Sequence, residues 1–200
     1  MHELLVDFIT SLDGYGAAEG WPGWWGLQGP EYLEWLNRQP ERNYTVLVGA
    51  NTYRLMSGFA AEAEASDSGE TDEDAATSEL ARASKVVFSS TLEPPLSWPN
   101  TRLVSGDAVE AVAAMKQDDT GPMRTLGSLS LCRSLLEAGL VDRLRVVVFP
   151  VITGRTGRDR IYDGYPDVAL DMVASQTFDS RIQLLEYAPT VLTRPPGTDP

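Results

Sequence analysis

The stretch LGSLSLCRSLLEAGLVDRLRVVVFPVITG, residues 126–154, decides the fold of this chain. Within this stretch, the spacing of Leu129, Leu131, Leu135 and Leu136 partly fits one face of a helix. Gly139 is typical of the carboxyl end of such a helix. The run DRLRVVVFPVITG, 142–154, is the longest β-prone run of the chain and predicts a strand. Because the short run MRTLGS, 123–128, predicts another strand before the helix, the order strand–helix–strand predicts a parallel strand pair.

The rest of the chain continues this alternation. Further strands are predicted at ELLVDFIT (3–10), TVLVG (45–49), SKVVFSS (84–90) and TRLVSGD (101–107). Helices are predicted at EYLEWLNRQ (31–39), from NTYRLM (51–56) and at AVEAVAAMK (108–116). The segment 169–189 predicts two strands that turn near Asp179 and Ser180. The pattern is that of an α/β fold with a central, mostly parallel sheet, flanking helices and a C-terminal antiparallel hairpin.

The length of 200 residues predicts a single domain over 1–190, followed by a tail over 191–200. Residues 62–79 contain eight acids and no base, and they lack aromatic and large aliphatic side chains. Such a composition cannot bury enough surface to offset the entropy of ordering, so it predicts a mobile acidic surface insertion. A second interpretation is that this segment recruits a basic partner.

The net charge of the chain limits the classes of ligand that it is expected to bind. The net charge is −13, but without the insertion 21 acids stand against 16 bases, a balance of −5. Nucleic acid and anionic membrane surfaces are therefore not expected partners, whereas a phosphate-bearing small molecule is still permitted. The single cysteine excludes an intramolecular disulfide, the single histidine offers little for a metal site, and the first residues lack a basic leader region. These features predict a cytoplasmic protein without a metal.

Glycines and small polar residues follow four of the predicted strands, where parallel sheets bind ligands. They stand in TSLDGYG (10–16), GANTY (49–53), SSTL (89–92) and GSLSL (127–131). Each glycine alone could simply satisfy a turn. Together the four motifs favour a dinucleotide, because backbone N–H groups and hydroxyls bind its phosphates.

With KVVFSSTL (85–92), WPNTRLVSGD (98–107) and the stretch 126–154, these motifs resemble the dihydrofolate-reductase-like superfamily. In particular, residues 2–188 resemble the reductase domain of the riboflavin-biosynthesis deaminase–reductase and its stand-alone bacterial relatives. The resemblance implies a homodimeric, NAD(P)H-dependent reductase that transfers hydride to a pteridine- or pyrimidine-like heterocycle, as 5-amino-6-(5-phosphoribosylamino)uracil reductase does. The alternative is a diverged, non-catalytic protein of the same fold that binds a nucleotide or another small ligand.

The resemblance also implies a role for each strand end. Asp13, the candidate catalytic residue, and Gly14 are expected beside the nicotinamide and the substrate. The other three turns are expected to hold the cofactor: Gly49, Asn51 and Thr52 its phosphates; Ser89, Ser90 and Thr91 the adenosine ribose with its 2′-phosphate; and Gly127, Ser128, Leu129 and Ser130 the pyrophosphate.

The chain departs from its relatives where they usually carry bases, since Ala50, Asn51 and Ser90 stand at those positions. NADPH is the expected cofactor, and NADH is possible because the charge-assisted bonds to a 2′-phosphate would be missing. Arg54 could replace those bases, because helical side chains lean toward the helix N-terminus; alternatively, it faces solvent. Phe149 stands where relatives carry a histidine.

Three further features each admit two interpretations. The tryptophans Trp21, Trp24 and Trp25 form either an apolar lid or stacking wall for a flat substrate ring, or a cap on the core or a dimer face. Asp13 either orients the substrate or assists its protonation, or else it accepts hydrogen bonds within its own turn before Gly14. The arginines Arg155, Arg158 and Arg160 either recognise a substrate phosphate or lie in a solvated loop.

Overall fold

The computed structural model describes residues 1–21, 24–65, 80–118 and 120–194. Its strands are β1 (Leu4–Ser11), β2 (Tyr15–Ala18), β3 (Thr45–Gly49), β4 (Lys85–Phe88), β5 (Thr101–Val104), β6 (Met123–Thr125), β7 (Arg143–Phe149), β8 (Gly157–Arg160), β9 (Val168–Phe178) and β10 (Ile182–Val191). The helices are α1 (Pro30–Arg38), α2 (Ala50–Ala65), α3 (Ala108–Met115) and α4 (Leu129–Glu137), with 3-10 turns at Trp24–Gly26 and Pro40–Asn43.

Eight strands form one sheet in the order β5-β4-β3-β6-β1-β7-β10-β9. The strands from β5 to β7 run parallel, and β10 and β9 continue the sheet as an antiparallel hairpin. β1 pairs with the whole of β7, from Leu5 opposite Arg143 to Ser11 opposite Phe149. The predicted α/β architecture is confirmed, including the turn at Asp179 and Ser180, which both adopt positive φ.

Alternating side chains place helices on both faces of the sheet. Leu4, Val6 and Phe8 of β1 belong to the core beneath α3 and α4. On the opposite face, Val147 and Phe149 pack with Tyr32 of α1. Val46 and Val48 of β3 pack there with Tyr53 of α2 in a third cluster. The central strands are therefore buried on both sides, and their carboxyl ends form a fixed edge from which the loops start.

Two strand predictions need correction. The run 142–154 contains a strand only as far as Phe149, and β9, with 11 residues, is the longest strand among the described residues. The sequence also predicted no strand at Tyr15–Ala18 or at Gly157–Arg160, which pair antiparallel in a separate two-stranded sheet. Neither strand alternates apolar and polar residues clearly, so the periodicity could not reveal them.

The predicted insertion and tail lie largely beyond what the structure describes. α2 continues through Ala65, so the first four residues of the segment 62–79 are helical rather than part of a loop. Residues 66–79 and 195–200 lie outside the described residues. β10 ends at Val191, which brings the first residue of the predicted tail into the sheet. None of the helices in the described ranges is long and apolar enough to cross a membrane.

Candidate functional site

The four motifs predicted to bind the cofactor follow four adjacent strands. In the sheet order, SSTL follows β4, GANTY follows β3, GSLSL follows β6, and the turn with Asp13 follows β1. These strands are mutually parallel, so all four motifs lie at the same edge. Neighbouring strands are about 4.8 Å apart, and the row of strand ends therefore spans roughly 15 Å.

Ser128 joins the two central turns. Its Oγ accepts a hydrogen bond of 2.7 Å from the Gly49 N–H and donates one of 2.8 Å to Thr52 Oγ1. Ser128 adopts a left-handed backbone with φ of 68°. A Cβ at position 49 would approach Ser128 Oγ to 3.2 Å, so the glycine permits this close contact. The Gly49 N–H was predicted to bind a cofactor phosphate, but in this structure it donates its hydrogen bond to Ser128.

Two helix N-termini lie beside this bond. α2 begins at Ala50, directly after β3, and α4 begins at Leu129, after the short turn 126–128 that follows β6. The Ser128 side chain does not cap α4, although it precedes that helix. The first N–H groups of a helix have no intrahelical acceptor and carry partial positive charge. Two such ends, held side by side, are suited to the oxygens of a diphosphate.

The turn after β4 is organised by Ser89. Its Oγ accepts hydrogen bonds from the N–H groups of Thr91 and Leu92, each at 3.1 Å, and lies 3.3 Å from Thr91 Oγ1. Thr91 Oγ1 in turn accepts a 3.3 Å bond from the Arg54 guanidinium. Ser90 is exposed beside them. Arg54 was expected either to face solvent or to reach back over the start of α2. It does both, because the residue is exposed and its side chain extends over the helix start.

Asp13 connects the loop after β1 with the loop after β7. Its carboxylate accepts hydrogen bonds from Ser11 Oγ at 2.7 Å, from the Thr153 N–H at 3.1 Å and from the Gly154 N–H at 2.8 Å. The bond from Ser11, together with these backbone donors, lowers the pKa of Asp13 to about 2. At neutral pH the group is therefore an ionised acceptor without a proton to give. This geometry favours the structural interpretation of Asp13 over a role as proton donor.

Gly14 follows directly and has φ of 87°, a conformation that favours glycine. Its carbonyl accepts a 3.0 Å hydrogen bond from the Ile161 N–H. Two apolar residues that the sequence did not single out, Leu12 and Ile152, flank this region with side chains 66% and 71% exposed. The Leu12 N–H donates to the Val151 carbonyl at 2.8 Å, which places these two loops together. Single apolar residues in loops give no periodic signal, so the sequence could not identify them.

The tryptophan segment packs at the end of β7. The Trp25 ring stacks on Trp21, with centroids 4.8 Å apart, and lies 5.7 Å from the ring of Phe149. Trp25 thus belongs to the rim of the core around α1, as its alternative interpretation proposed. The indole nitrogens of Trp21 and Trp25 are buried without a hydrogen-bond partner among the described residues. The side chain of Trp24 lies outside the described part of the structure.

The three arginines beyond β7 are exposed, and two of them have partners in the two-stranded sheet. Arg158 forms an exposed ion pair of 3.5 Å with Glu19, and the Arg160 guanidinium lies 5.5 Å from the centre of the Tyr15 ring. Arg155 lies beside Gly154 in the loop. Arg158 and Arg160 are therefore solvent-exposed, as the second interpretation proposed, but they lie in strand β8 and not in a loop.

Comparison with known proteins gives consistent results. The family model of the RibD C-terminal domain matches residues 2–184. The uncharacterized protein YyaP of Bacillus subtilis (strain 168) is 24% identical over 187 residues, covering 92% of this chain and 93% of that protein.

Among solved structures, a putative riboflavin biosynthesis protein from Shewanella sp. PV-4 matches with a TM-score of 0.68 and 18% identity, over 94% of this chain and 99% of that one. The diaminohydroxyphosphoribosylaminopyrimidine deaminase/5-amino-6-(5-phosphoribosylamino)uracil reductase of Thermotoga maritima matches with a TM-score of 0.62 and 18% identity, over 94% of this chain and 57% of that one. At such identities these likenesses establish the fold alone, and this chain spans 57% of the length of the Thermotoga maritima protein.

Proposed function

The chain belongs to the RibD C-terminal domain family, and from this premise we propose that it is an NAD(P)H-dependent reductase acting on a pteridine- or pyrimidine-like heterocycle. One observation carries the proposal. Along the strand order β4-β3-β6-β1, the turns are those expected to hold adenosine, then the phosphates, then nicotinamide. A dinucleotide carries these groups in the same order. Sequence order alone would not produce this arrangement, because β6 lies between β3 and β1 although it comes last of the four along the chain.

The residues present fit such a cofactor. The first-turn N–H groups of α2 and α4 would hold the diphosphate, and Ser128 keeps the two helix starts together through its bonds to Gly49 and Thr52. Ser89 and Thr91 present hydroxyls at the end of β4. When bound, the nicotinamide supplies the hydride. The contribution of this chain is to position both reactants and to exclude water.

The substrate would lie at the ends of β1 and β7. Leu12 and Ile152 offer apolar surface there, and Asp13 fixes the two loops that carry them. Because the Asp13 carboxylate is ionised and accepts hydrogen bonds from Ser11, Thr153 and Gly154, we assign it a positioning role and not proton donation. Trp25 supports this region from beneath through Phe149. A flat ring with an apolar face suits this surface better than a strongly charged substrate does.

The cofactor assignment is tested by titrating NADPH and NADH against the intrinsic fluorescence of the five tryptophans. We expect saturable binding of at least one nucleotide, followed by oxidation of the reduced nucleotide in the presence of a pteridine or aminopyrimidine. The absence of a saturable response to both nucleotides would remove the reductase proposal.

The second candidate function is nucleotide or small-ligand binding without hydride transfer. The uncharged Ala50, Asn51 and Ser90 favour it, because they weaken the electrostatic case for NADPH, and so does Phe149 at a position where relatives carry a histidine. The two candidates differ in turnover. Saturable binding with no oxidation of NADPH over a panel of heterocycles would support the second; steady oxidation would eliminate it.

We further propose that the protein acts in the cytoplasm as a homodimer that pairs through β9. This strand is at the edge of the sheet, and Leu170, Met172 and Val173 are 43%, 59% and 56% exposed. Long apolar edge strands are normally covered in native proteins. Antiparallel pairing centred on Val173 would place Asp171, the only charged residue of β9, opposite Ser175 of a second copy, so like charges would not meet.

Val173→Glu tests the dimer, because it places two carboxylates at the centre of the proposed interface. We expect light scattering to show a dimer for the wild type and a monomer for the variant. Thr177→Glu, near the end of the same strand, is the matched control and is expected to affect association less. A wild-type monomer, or a dimer that Val173→Glu leaves intact, would contradict this interface.

A further inference from the structure

Arg54 lies one turn into α2 and reaches back to two neighbouring motifs. Its Nη1 donates to Asn51 Oδ1 and its Nη2 to Thr91 Oγ1, both at 3.3 Å. The contact to Thr91 joins residues 37 positions apart, so the side chain spans from the end of β3 to the end of β4. The guanidinium therefore lies at the outer end of the row of four motifs, beside the hydroxyls organised by Ser89.

The electrostatic surroundings of Arg54 are unusual within this acidic protein. Both of its partners are neutral, and none of the carboxylates in the described ranges forms an ion pair with it. By contrast, Arg143 and Arg145 are surrounded by carboxylates at 2.6 to 3.6 Å. An exposed arginine held by neutral groups keeps its charge available for a ligand anion.

The groups around Arg54 match a phosphomonoester. A guanidinium presents two parallel N–H donors that fit two phosphate oxygens, and the hydroxyl of Thr91 adds a further donor within reach of the same anion. The site is separate from the paired helix N-termini, because it lies one strand further toward the edge of the sheet. A ligand that occupies both places carries a diphosphate and a second, distinct phosphate.

We propose that Arg54, with Thr91 and Asn51, binds the 2′-phosphate of NADPH and thereby selects this nucleotide over NADH. The inference rests on the proposed reductase function and deepens it, because it names the residue that sets the cofactor preference. It also explains how the chain tolerates Ala50, Asn51 and Ser90 at positions where a base would be expected. The cation is supplied three residues further along the chain than Asn51, from the following turn of the helix.

The experiment compares the wild type with Arg54→Gln, Arg54→Lys and the control Arg82→Gln, which removes an exposed arginine away from the four motifs. Dissociation constants for NADPH and NADH are measured by tryptophan fluorescence, and those for 2′-AMP and 5′-AMP by calorimetry. Hydrogen bonds to a charged group contribute enough that Arg54→Gln is expected to weaken NADPH and 2′-AMP by about tenfold to hundredfold. NADH and 5′-AMP binding should be unchanged, Arg54→Lys should retain part of the preference, and Arg82→Gln should match the wild type.

Four results would overturn the assignment of Arg54. Wild-type protein that binds NADH as tightly as NADPH lacks the preference, although such binding leaves the reductase proposal intact. A uniform loss for both nucleotides in Arg54→Gln would show a general effect on the turn, and no loss for either would show that the side chain is not used. Wild-type protein that binds neither nucleotide would overturn both the proposed function and this inference.

Discussion

The two ends of the central strands use charge in opposite ways. Toward the amino-terminal half of β1 and β7, Arg145 forms ion pairs with Glu186 at 2.6 Å and Glu41 at 2.8 Å, and its side chain is only 3% exposed. Arg143 joins the same acids and adds Glu3. At the carboxyl ends, by contrast, the motifs carry hydroxyls and helix N-termini, and the Arg54 guanidinium lies beside them.

The pKa values follow this difference. Burial raises the pKa of Asp7, in spite of the nearby Arg145 and Arg124 guanidinium groups. Burial would also raise the pKa of Glu41, but the neighbouring Arg145 and Arg143 outweigh it and lower the value. Most of these charged groups pair with one another, although Glu41 Oε2 and Arg124 Nε are buried without a hydrogen-bond partner among the described residues. The comparison teaches that concentrated charge does not by itself mark a ligand site, because these charges mainly face one another.

The largest effect is expected when the buried network is broken. Arg145→Met removes the cation and leaves Glu41, Glu186 and Asp7 buried without it, so the free energy of unfolding should fall by about 3–5 kcal/mol. Urea unfolding measures the loss. Arg158→Met, which breaks an exposed pair with Glu19, should cost less than about 1 kcal/mol. Equal losses in the two variants would contradict the view that the buried network stabilises the fold.

A smaller loss of stability, accompanied by a loss of binding, is expected at Ser128. Ser128→Ala deletes the bonds to the Gly49 N–H and Thr52 Oγ1, and leaving these groups unpaired costs about 1–3 kcal/mol. Because the two helix starts then lose their link, NADPH and NADH should both bind more weakly. Ser134→Ala in the same helix is the control for the loss of a hydroxyl. Unchanged nucleotide affinity in a destabilised Ser128→Ala would separate this bond from the binding site.

The contrast also explains which features the sequence could predict. Apolar runs such as TVLVG predicted the buried parallel strands, because such strands are apolar on both faces. The helix that begins within GANTY and the turn at Asp179 could be predicted from local residue types. The partners of Asp179 were not: its carboxylate accepts from the Glu31 and Tyr32 N–H groups, at 3.1 and 3.2 Å, across 148 and 147 positions.

Contacts between residues far apart in the chain also prevented the sequence from predicting how the candidate site is assembled. Each of the four motifs was visible locally, but their order along the edge depends on β6 pairing between β3 and β1. The bond between Ser128 and Gly49 joins residues 79 positions apart. The role of Asp13 could not be decided either, because two of its donors come from the loop after β7, at separations of 140 and 141 positions.

Asp13 lies at the carboxyl ends of the strands, but its carboxylate is hydrogen-bonded within the protein, like the charged groups at the other end. Its pKa in the folded state is about 2, below the ordinary value of 3.8, so folding favours the ionised form. The stabilisation is therefore present above about pH 4 and disappears as the pH falls toward 2. Asp13→Asn should lower the melting temperature at neutral pH, and the difference from the wild type should shrink over this acidic window.

Thermal melts of both proteins between pH 7 and pH 2 test this expectation, with the exposed Asp163→Asn as the control. Asp13→Asn should also leave the ratio of NADPH to NADH affinity unaltered, because the cation proposed to set that ratio lies at the opposite end of the row, three strands away. A pH-independent difference in melting temperature would show that the carboxylate acts through packing and not charge. An altered nucleotide ratio would show that the two ends of the row are coupled, so that the loops positioned by Asp13 belong to the same cooperative site as Arg54.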